Sequence, residues 1–303
     1  MSVDIGGSDS PCSKRLIVNG DDFGFTRGVN EGILSAFKTG ILTSTTIMAN
    51  GDAFENAAAI ALANPDLAVG VHLAIVGGRP VSPLSEVPSL AGASGRLPRT
   101  LSQLILGIAK GSINTAEIEI EFNAQIERVI NAGIHPSHLD THKHSQIVSP
   151  VARAVVRAAN RFGITKVRNS FESPRNFSLA GAAAKANRKT YLKQFMQSAL
   201  TSPRAGSFKR LAAGAGLSAP ERFFGVALTG LLDSAAILNV VRMLGRGVSE
   251  LMCHPGVYDD NLEAAPTRLK RQRQRELEAL TDPEVLAAVR ENGVELVSFR
   301  ELD

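Results

Sequence analysis

The sequence predicts an α/β protein, a distorted (β/α) barrel of mainly parallel strands with a helical insertion near its mouth. Short apolar runs alternate with amphipathic helical stretches six or seven times, the pattern of a parallel sheet with helical crossovers. The 303 residues, 44% of them hydrophobic with mean hydropathy near zero, suit one large soluble α/β domain or two small ones, with a sizeable core. The polar residues of chemical interest fall at strand C-termini: Asp21 and Asp22, His72, Asp140 and His142, Arg168 and Asn169, His254. An open doubly wound sheet gathers strand ends only near its switch point, whereas a barrel gathers them all into one mouth. Residues 1–303 are therefore read as one domain, with 171–222 set apart within it as an insertion or cap.

Taken in order, residues 14–19 (Lys-Arg-Leu-Ile-Val-Asn) make a short apolar strand ending in Gly-Asp-Asp-Phe-Gly. A helix over 27–38 presents Val29, Ile33, Leu34 and Phe37 on one face. The β-branched run 41–48 is a second strand, 53–63 an alanine-rich helix, and 67–75 a third strand containing His72. A Gly/Pro/Ser-rich loop fills 76–99, long enough to expect a functional or mobile role. Helices follow over 100–110 and 115–132, the second capped by Asn114 with Glu117 at N3. A histidine-rich strand over 136–144, a helix over 148–162 and a strand over 165–169 come next. The basic, alanine-rich insertion then gives way to a strand at 223–228, a helix at 233–245, a strand at 250–254, helices around 266–280 and 283–291, and a last strand at 294–299.

Composition narrows the partners. No tryptophan and 5% aromatics leave no stacking surface for bases, so no nucleic acid is expected. The net charge of +4 and pI near 9.2 come largely from local runs such as 268–275. That run reads as a solvated helix face, with attachment to an anionic membrane as the sharper alternative. Two cysteines, Cys12 in a polar N-terminus and Cys253 in a strand, fit a reducing, cytoplasmic compartment. A Cys253–His254 nucleophile pair is disfavoured because adjacent strand residues face opposite sides. Residues 1–13 lack the apolar core of a signal peptide, and the greasy stretch 223–244 is broken by Gly225, Gly230, Asp233 and Arg242.

The chemistry centres on Pro-Ser-His-Leu-Asp-Thr-His-Lys-His (136–144). His138, Asp140, His142 and His144 alternate, so an extended strand would aim all four one way. Across six residues at about 3.3 Å each they span about 20 Å, too far to share one ion. Some must be ligands and the rest must orient ligands or touch substrate. Asp-Asp before Phe-Gly is ordinary loop chemistry, and a lone His72 or His254 is more often a core residue. Their convergence on one barrel mouth changes that reading. One carboxylate plus two imidazoles is a common ligand set for a catalytic divalent ion. Asp22, His72 and His142 are therefore assigned to one metal ion, Asp21 to the general base, and His254 to protonation of the leaving group or to steadying the oxyanion. His138, Asp140, His144 and Arg168 are assigned to orienting ligands or contacting substrate. Magnesium and zinc are expected first, manganese and cobalt also being compatible.

These residues carry a resemblance. Asn-Gly-Asp-Asp-Phe-Gly (19–24), Thr-Ser-Thr-Thr (43–46), Gly-Val-His-Leu (70–73), His-Leu-Asp-Thr-His-Lys-His (138–144) and Cys-His-Pro-Gly (253–256) resemble the motifs of the YdjC family of carbohydrate deacetylases. They stand in family order along nearly the whole chain; Gly20 replaces an alanine usual there. The resemblance implies a distorted barrel, removal of an N-acetyl group from an amino sugar, and a metal held by Asp22, His72 and His142 with Asp21 as base and His254 as the second catalytic group. Residues 69–81, 219–225 and 249–256 are similar to the hopanoid-biosynthesis branch (HpnK), which implies a lipid-linked N-acetylglucosaminyl substrate and peripheral contact with the inner membrane face. Chitooligosaccharides or other N-acetylated carbohydrates are the alternative substrates. A second copy of the chain, in a homodimer, is the expected protein partner.

Two other functions compete. A barrel glycoside hydrolase would pair Asp21 with Asp140, but it leaves the histidines without a purpose. A non-catalytic metal- or sugar-binding protein would lose no turnover in Asp21→Asn.

Overall fold

In a computed structural model describing residues 13–302, the apolar and β-branched runs form seven strands. They are β1 Lys14–Phe23, β2 Ser44–Ile47, β3 Ala68–Leu73, β4 Leu139–Thr141, β5 Arg222–Phe224, β6 Gly247–Cys253 and β7 Val294–Leu296. Every ladder is parallel, in the order β4-β3-β2-β1-β6-β5, with β7 against Lys14–Leu16 of β1. Helices cover the outside, as parallel crossovers require.

The barrel is incomplete between β4 and β5. There the ladder survives as single bridges, Leu139 to Val167 and Lys166 to Ser218. The strand expected at 165–169 is reduced to these bridges for a visible reason. The carbonyl of Arg168 accepts from the Gln146 side chain at 2.7 Å, so an amide stands where a neighbouring strand would. The histidine strand is also shorter than expected. It ends at Thr141, and residues 142–147 turn as a 3₁₀ segment with Lys143 and His144 at φ 54° and 51°.

The concave face is layered. Ile17, Asn19 and Asp21 of β1 share it by the two-residue period. Ile17 packs with Val297, Phe299 and Leu302, while the larger core lies between the sheet and its helices. The long loop 76–99 is tied down. Glu121 accepts from the backbones of Val81 and Ser82, and Glu117 from those of Ser89 and Leu90. Glu117 is thus spent on the loop; the helix Thr115–Asn131 is capped by Asn114 alone, through Ala116 N.

Residues 171–222 form helical pieces, the longest Arg188–Thr201, packed through Phe171 against Phe208 and through Gln194 onto Thr229. No helix among the described residues is long and apolar enough to cross a membrane. Cys253 is a buried free thiol donating to the Asn19 carbonyl; Cys12 and the polar leader lie outside the described residues.

Candidate active site and metal centre

Asp22 reaches the site because β1 ends there. Its backbone sits at φ 68°, a left-handed conformation that aspartate tolerates better than most residues. His72 stands near the end of β3, paired with Asp140 of β4, and His142 follows β4, while Asp22 lies where the β1–β2 register slips. Their ligand atoms form a tight triangle. Asp22 Oδ1 lies 3.4 Å from His72 Nε2 and 3.1 Å from His142 Nδ1, and the two nitrogens are 3.2 Å apart. Ligands bound to one ion at about 2.1 Å are separated by roughly 3–3.5 Å, so the triangle fits a divalent ion. Asp22 and His72 are buried, whereas the His142 side chain is 21% exposed and faces the opening.

The partner of each ligand sets its chemistry. His72 Nδ1 lies 2.7 Å from Asp140 Oδ1 and 3.2 Å from Thr46 Oγ1. A proton donated from Nδ1 to Asp140 leaves Nε2 for the ion, the arrangement usual for metal-bound histidine. Burial opposes charge on His72, but Asp140, Asp22 and Asp21 override it and raise its pKa to about 10. Burial also works against charge on Asp22, yet Arg273 and the two histidines hold its carboxyl well below the usual range.

Asp21 stands on the other side of His72, gripped by Arg168. Nη2 donates to Oδ1 at 2.6 Å and Nη1 to Oδ2 at 2.7 Å. The same guanidinium meets Asp140 at 2.5 Å and Glu250 at 2.7 Å, and all four residues are buried. Burial alone would raise Asp21; Arg168 overrides it and keeps the carboxylate ionised. Burial wins at Glu250, pushed up to about 8. Asp21 pairs with Arg168, Asp22 with Arg273 and Asp140 with both Arg168 and His72. Asp21, His72 and Asp140 also cluster closely enough to suggest a second cation site. Arg168 already occupies that position as the counter-ion, which leaves Asp22, His72 and His142 for the metal.

His254 follows β6. It is 9% exposed, and burial lowers its pKa to about 4, so it is neutral at neutral pH. Its backbone N–H donates to Glu276 Oε2 at 2.6 Å, whereas its Nδ1 has no hydrogen-bond partner among the described residues. Glu276 is itself buried and pushed up to about 7.

The structure thus brings Asp21, Asp22, His72, Asp140, His142 and Arg168 into one cluster and sets His254 at its border. It leaves two expected residues outside. His138 stacks on Phe299 with centroids 3.5 Å apart and bonds Ser137, filling the base of the concave face. His144 turns with the 3₁₀ segment to Ser170 and the edge of Phe223. The four-in-a-row alignment fails because the strand ends after Thr141. Sequence reasoning missed Glu250, Arg273 and Glu276. Arg273 was hidden in the basic run read as solvated, but it is 2% exposed and meets Asp22 Oδ2 at 2.5 Å. The signal was the helical period: Arg273, Glu276, Leu277 and Leu280 share the buried face of the helix Arg271–Leu280.

A parallel barrel whose strand tips gather an Asp-His-His cluster and a spare buried carboxylate is the frame of a hydrolase. Residues 15–291 match the model of the YdjC-like protein family, and the chain belongs to that family. A carbohydrate deacetylase of Geobacillus stearothermophilus is 34% identical over 94% of this chain and 96% of its own length. One from Brevibacillus brevis is 33% identical over 95% and 99%. A crystal structure from Enterococcus faecalis, described as a candidate cellobiose-phosphate cleavage protein, superposes with a TM-score of 0.76 at 26% identity, covering 95% of this chain and 98% of that one.

Proposed function

We propose that this protein is a divalent-metal-dependent deacetylase that hydrolyses the N-acetyl group of an amino sugar. The observation that carries this is the 3.1–3.4 Å triangle of Asp22, His72 and His142 beside the buried carboxylate of Asp21. Relatives named carbohydrate deacetylases support the reaction class. The bound ion would polarise the acetyl carbonyl and ease deprotonation of the attacking water.

The chain's own residues do the rest. Asp140 fixes the His72 ring through Nδ1. Arg168 holds Asp21 with both oxygens placed, and Asp21 takes the proton of the attacking water. His254 enters neutral, so it is free to accept the proton that Asp21 has taken from the water and to pass it to the leaving nitrogen, which returns both groups to their starting states. The grip of Arg168 favours a second assignment, in which neutral His254 is the first base and Asp21 orients the water. Asp21→Asn and His254→Ala separate the two by which variant loses the acidic limb of the pH–rate profile.

Among substrates, an N-acetylglucosaminyl hopanoid is the finer reading, resting on the resemblance of residues 69–81, 219–225 and 249–256 to the hopanoid branch. Acetate release from that lipid and from N,N′-diacetylchitobiose, each with zinc, magnesium, manganese and cobalt, tests both levels. Release from the lipid alone supports the hopanoid assignment, and release from the chitobiose alone overturns it. Release from neither with any metal overturns the deacetylase reading.

A further inference from the structure

Asp22 divides its two oxygens. Oδ1 faces His72 and His142, and Oδ2 faces Arg273. Its backbone conformation is one that a non-glycine residue holds only when its surroundings fix it. The guanidinium is equally constrained. Arg273 Nε donates to the Leu269 carbonyl at 3.2 Å, and its Cζ lies 5.7 Å from the centroid of the Phe25 ring. The aliphatic stem packs against Gly256, where an added Cβ would meet Arg273 Cβ at 3.2 Å and Cδ at 3.3 Å. The Arg273 carbonyl accepts from Gly256 N at 3.2 Å, so backbone and side chain both brace the loop after His254.

One turn later on the same helix, Glu276 grips the other half of the site. Oε2 accepts from His254 N at 2.6 Å and Oε1 from Gly230 N at 2.9 Å. We propose that Arg273 is the positioning residue of the metal ligand Asp22, and that the helix Arg271–Leu280 is a two-point strut whose Arg273 end governs metal affinity and whose Glu276 end governs His254.

The physical case rests on what each contact does. Arg273 holds Asp22 from the side away from the histidines, its guanidinium on Oδ2 in a site where both side chains are buried. This leaves a single oxygen for the ion. A guanidinium presents a rigid planar fork, while a lysine ammonium is a point charge on a flexible stem, so the two are not equivalent here. Glu276 contacts neither Asp22 nor the histidine ligands through any bond among the described residues, so its loss should leave metal binding intact. The inference rests on the assignment of Asp22, His72 and His142 as ligands.

The test measures zinc affinity of the metal-stripped full chain by titration calorimetry for wild type, Arg273→Gln, Arg273→Lys, Glu276→Gln and His142→Ala. Near-ultraviolet circular dichroism of each metal-stripped protein selects the folded variants. Arg273→Lys keeps the charge and serves if Arg273→Gln does not fold. Loss of a residue that orients a metal ligand typically weakens affinity about 10–100-fold, the range expected for Arg273→Gln, with Arg273→Lys between it and wild type. At saturating zinc, Arg273→Lys should recover kcat with KM unchanged. Glu276→Gln should bind zinc within twofold of wild type while kcat falls. Folded Arg273 variants that bind zinc as wild type does would overturn the inference and leave the ligand assignment standing. Wild type binding no zinc, or His142→Ala binding it normally, would remove the ligand assignment and the inference with it.

Discussion

Arg168 meets Asp21 fork to fork, with both oxygens of the carboxylate engaged at 2.6 and 2.7 Å. The pairing spans 147 residues of sequence and closes the interior of the barrel, since the same guanidinium also binds Asp140 and Glu250. A buried charge partner of this kind is costly to remove, because the carboxylates left behind have no water to turn to.

Arg168→Met should therefore destabilise the fold strongly. Breaking a buried ion pair on one side costs about 3–5 kcal/mol, and here more than one carboxylate loses its partner. Urea denaturation of the metal-stripped variant checks this. A loss below about 1 kcal/mol, the scale of an exposed pair, would contradict the assigned role.

Asp21→Asn keeps the shape of the side chain and removes its charge. It should bind metal as wild type does and lose about 10²–10⁴-fold in kcat, the usual contribution of a positioned proton-transfer group. His142→Ala should instead lose the metal. Parallel measurement of bound zinc and acetate release separates the two outcomes; wild-type turnover by metal-replete Asp21→Asn would exclude Asp21 as base.

Metal removal should abolish activity and divalent ions should restore it. A glycoside hydrolase built on Asp21 and Asp140 would be indifferent to EDTA, so chelation followed by readdition decides between the two reactions.

Above about pH 7, where the histidines with lowered pKa are neutral in both states, stability of the metal-free protein should fall as pH rises. His72 goes from 6.5 to about 10 on folding, so its contribution is complete below about 6.5 and lost as pH climbs through 10. Glu250 and Glu276, raised from 4.5 to about 8 and about 7, add a loss in the same direction over a lower range. Above pH 8 the dependence comes from His72 together with the buried Cys253 thiol, which burial pushes well up, and a bound ion, which takes the Nε2 position, should remove the His72 part. Thermal melts between pH 8 and 10 with and without zinc measure this; parallel slopes in the two series would contradict it.

Much of the site was legible because it lies at strand tips. Asp22 and His72 end regular strands, and His142 follows one directly, so their convergence follows from the barrel. Arg168, Asp21 and Asp140 were visible at strand ends, but the third carboxylate partner of Arg168 was not, because Glu250 sits inside an apolar strand where a charge signals nothing without its partner. His144 was misplaced because an alternating pattern describes a strand only while the chain stays extended, and Lys143 and His144 leave that conformation; His138 lies where the chain is still extended and is taken up by stacking on Phe299. Arg273 lay in a basic run whose charge density masked its helical period, and Glu276 directly follows that run on the same helix. Even the broken edge between β4 and β5 has a local cause, the Gln146 amide bonded to Arg168, which no pattern of hydrophobicity displays.

The central claim is that Asp22, His72 and His142 share one divalent ion. Anomalous diffraction at the zinc edge from crystals grown with zinc tests it directly. The account predicts one peak within about 2.0–2.2 Å of Asp22 Oδ1, His72 Nε2 and His142 Nδ1, the distances usual for zinc with oxygen and nitrogen ligands. A peak seated instead between Asp21, His72 Nδ1 and Asp140, or no peak at either place, would contradict it.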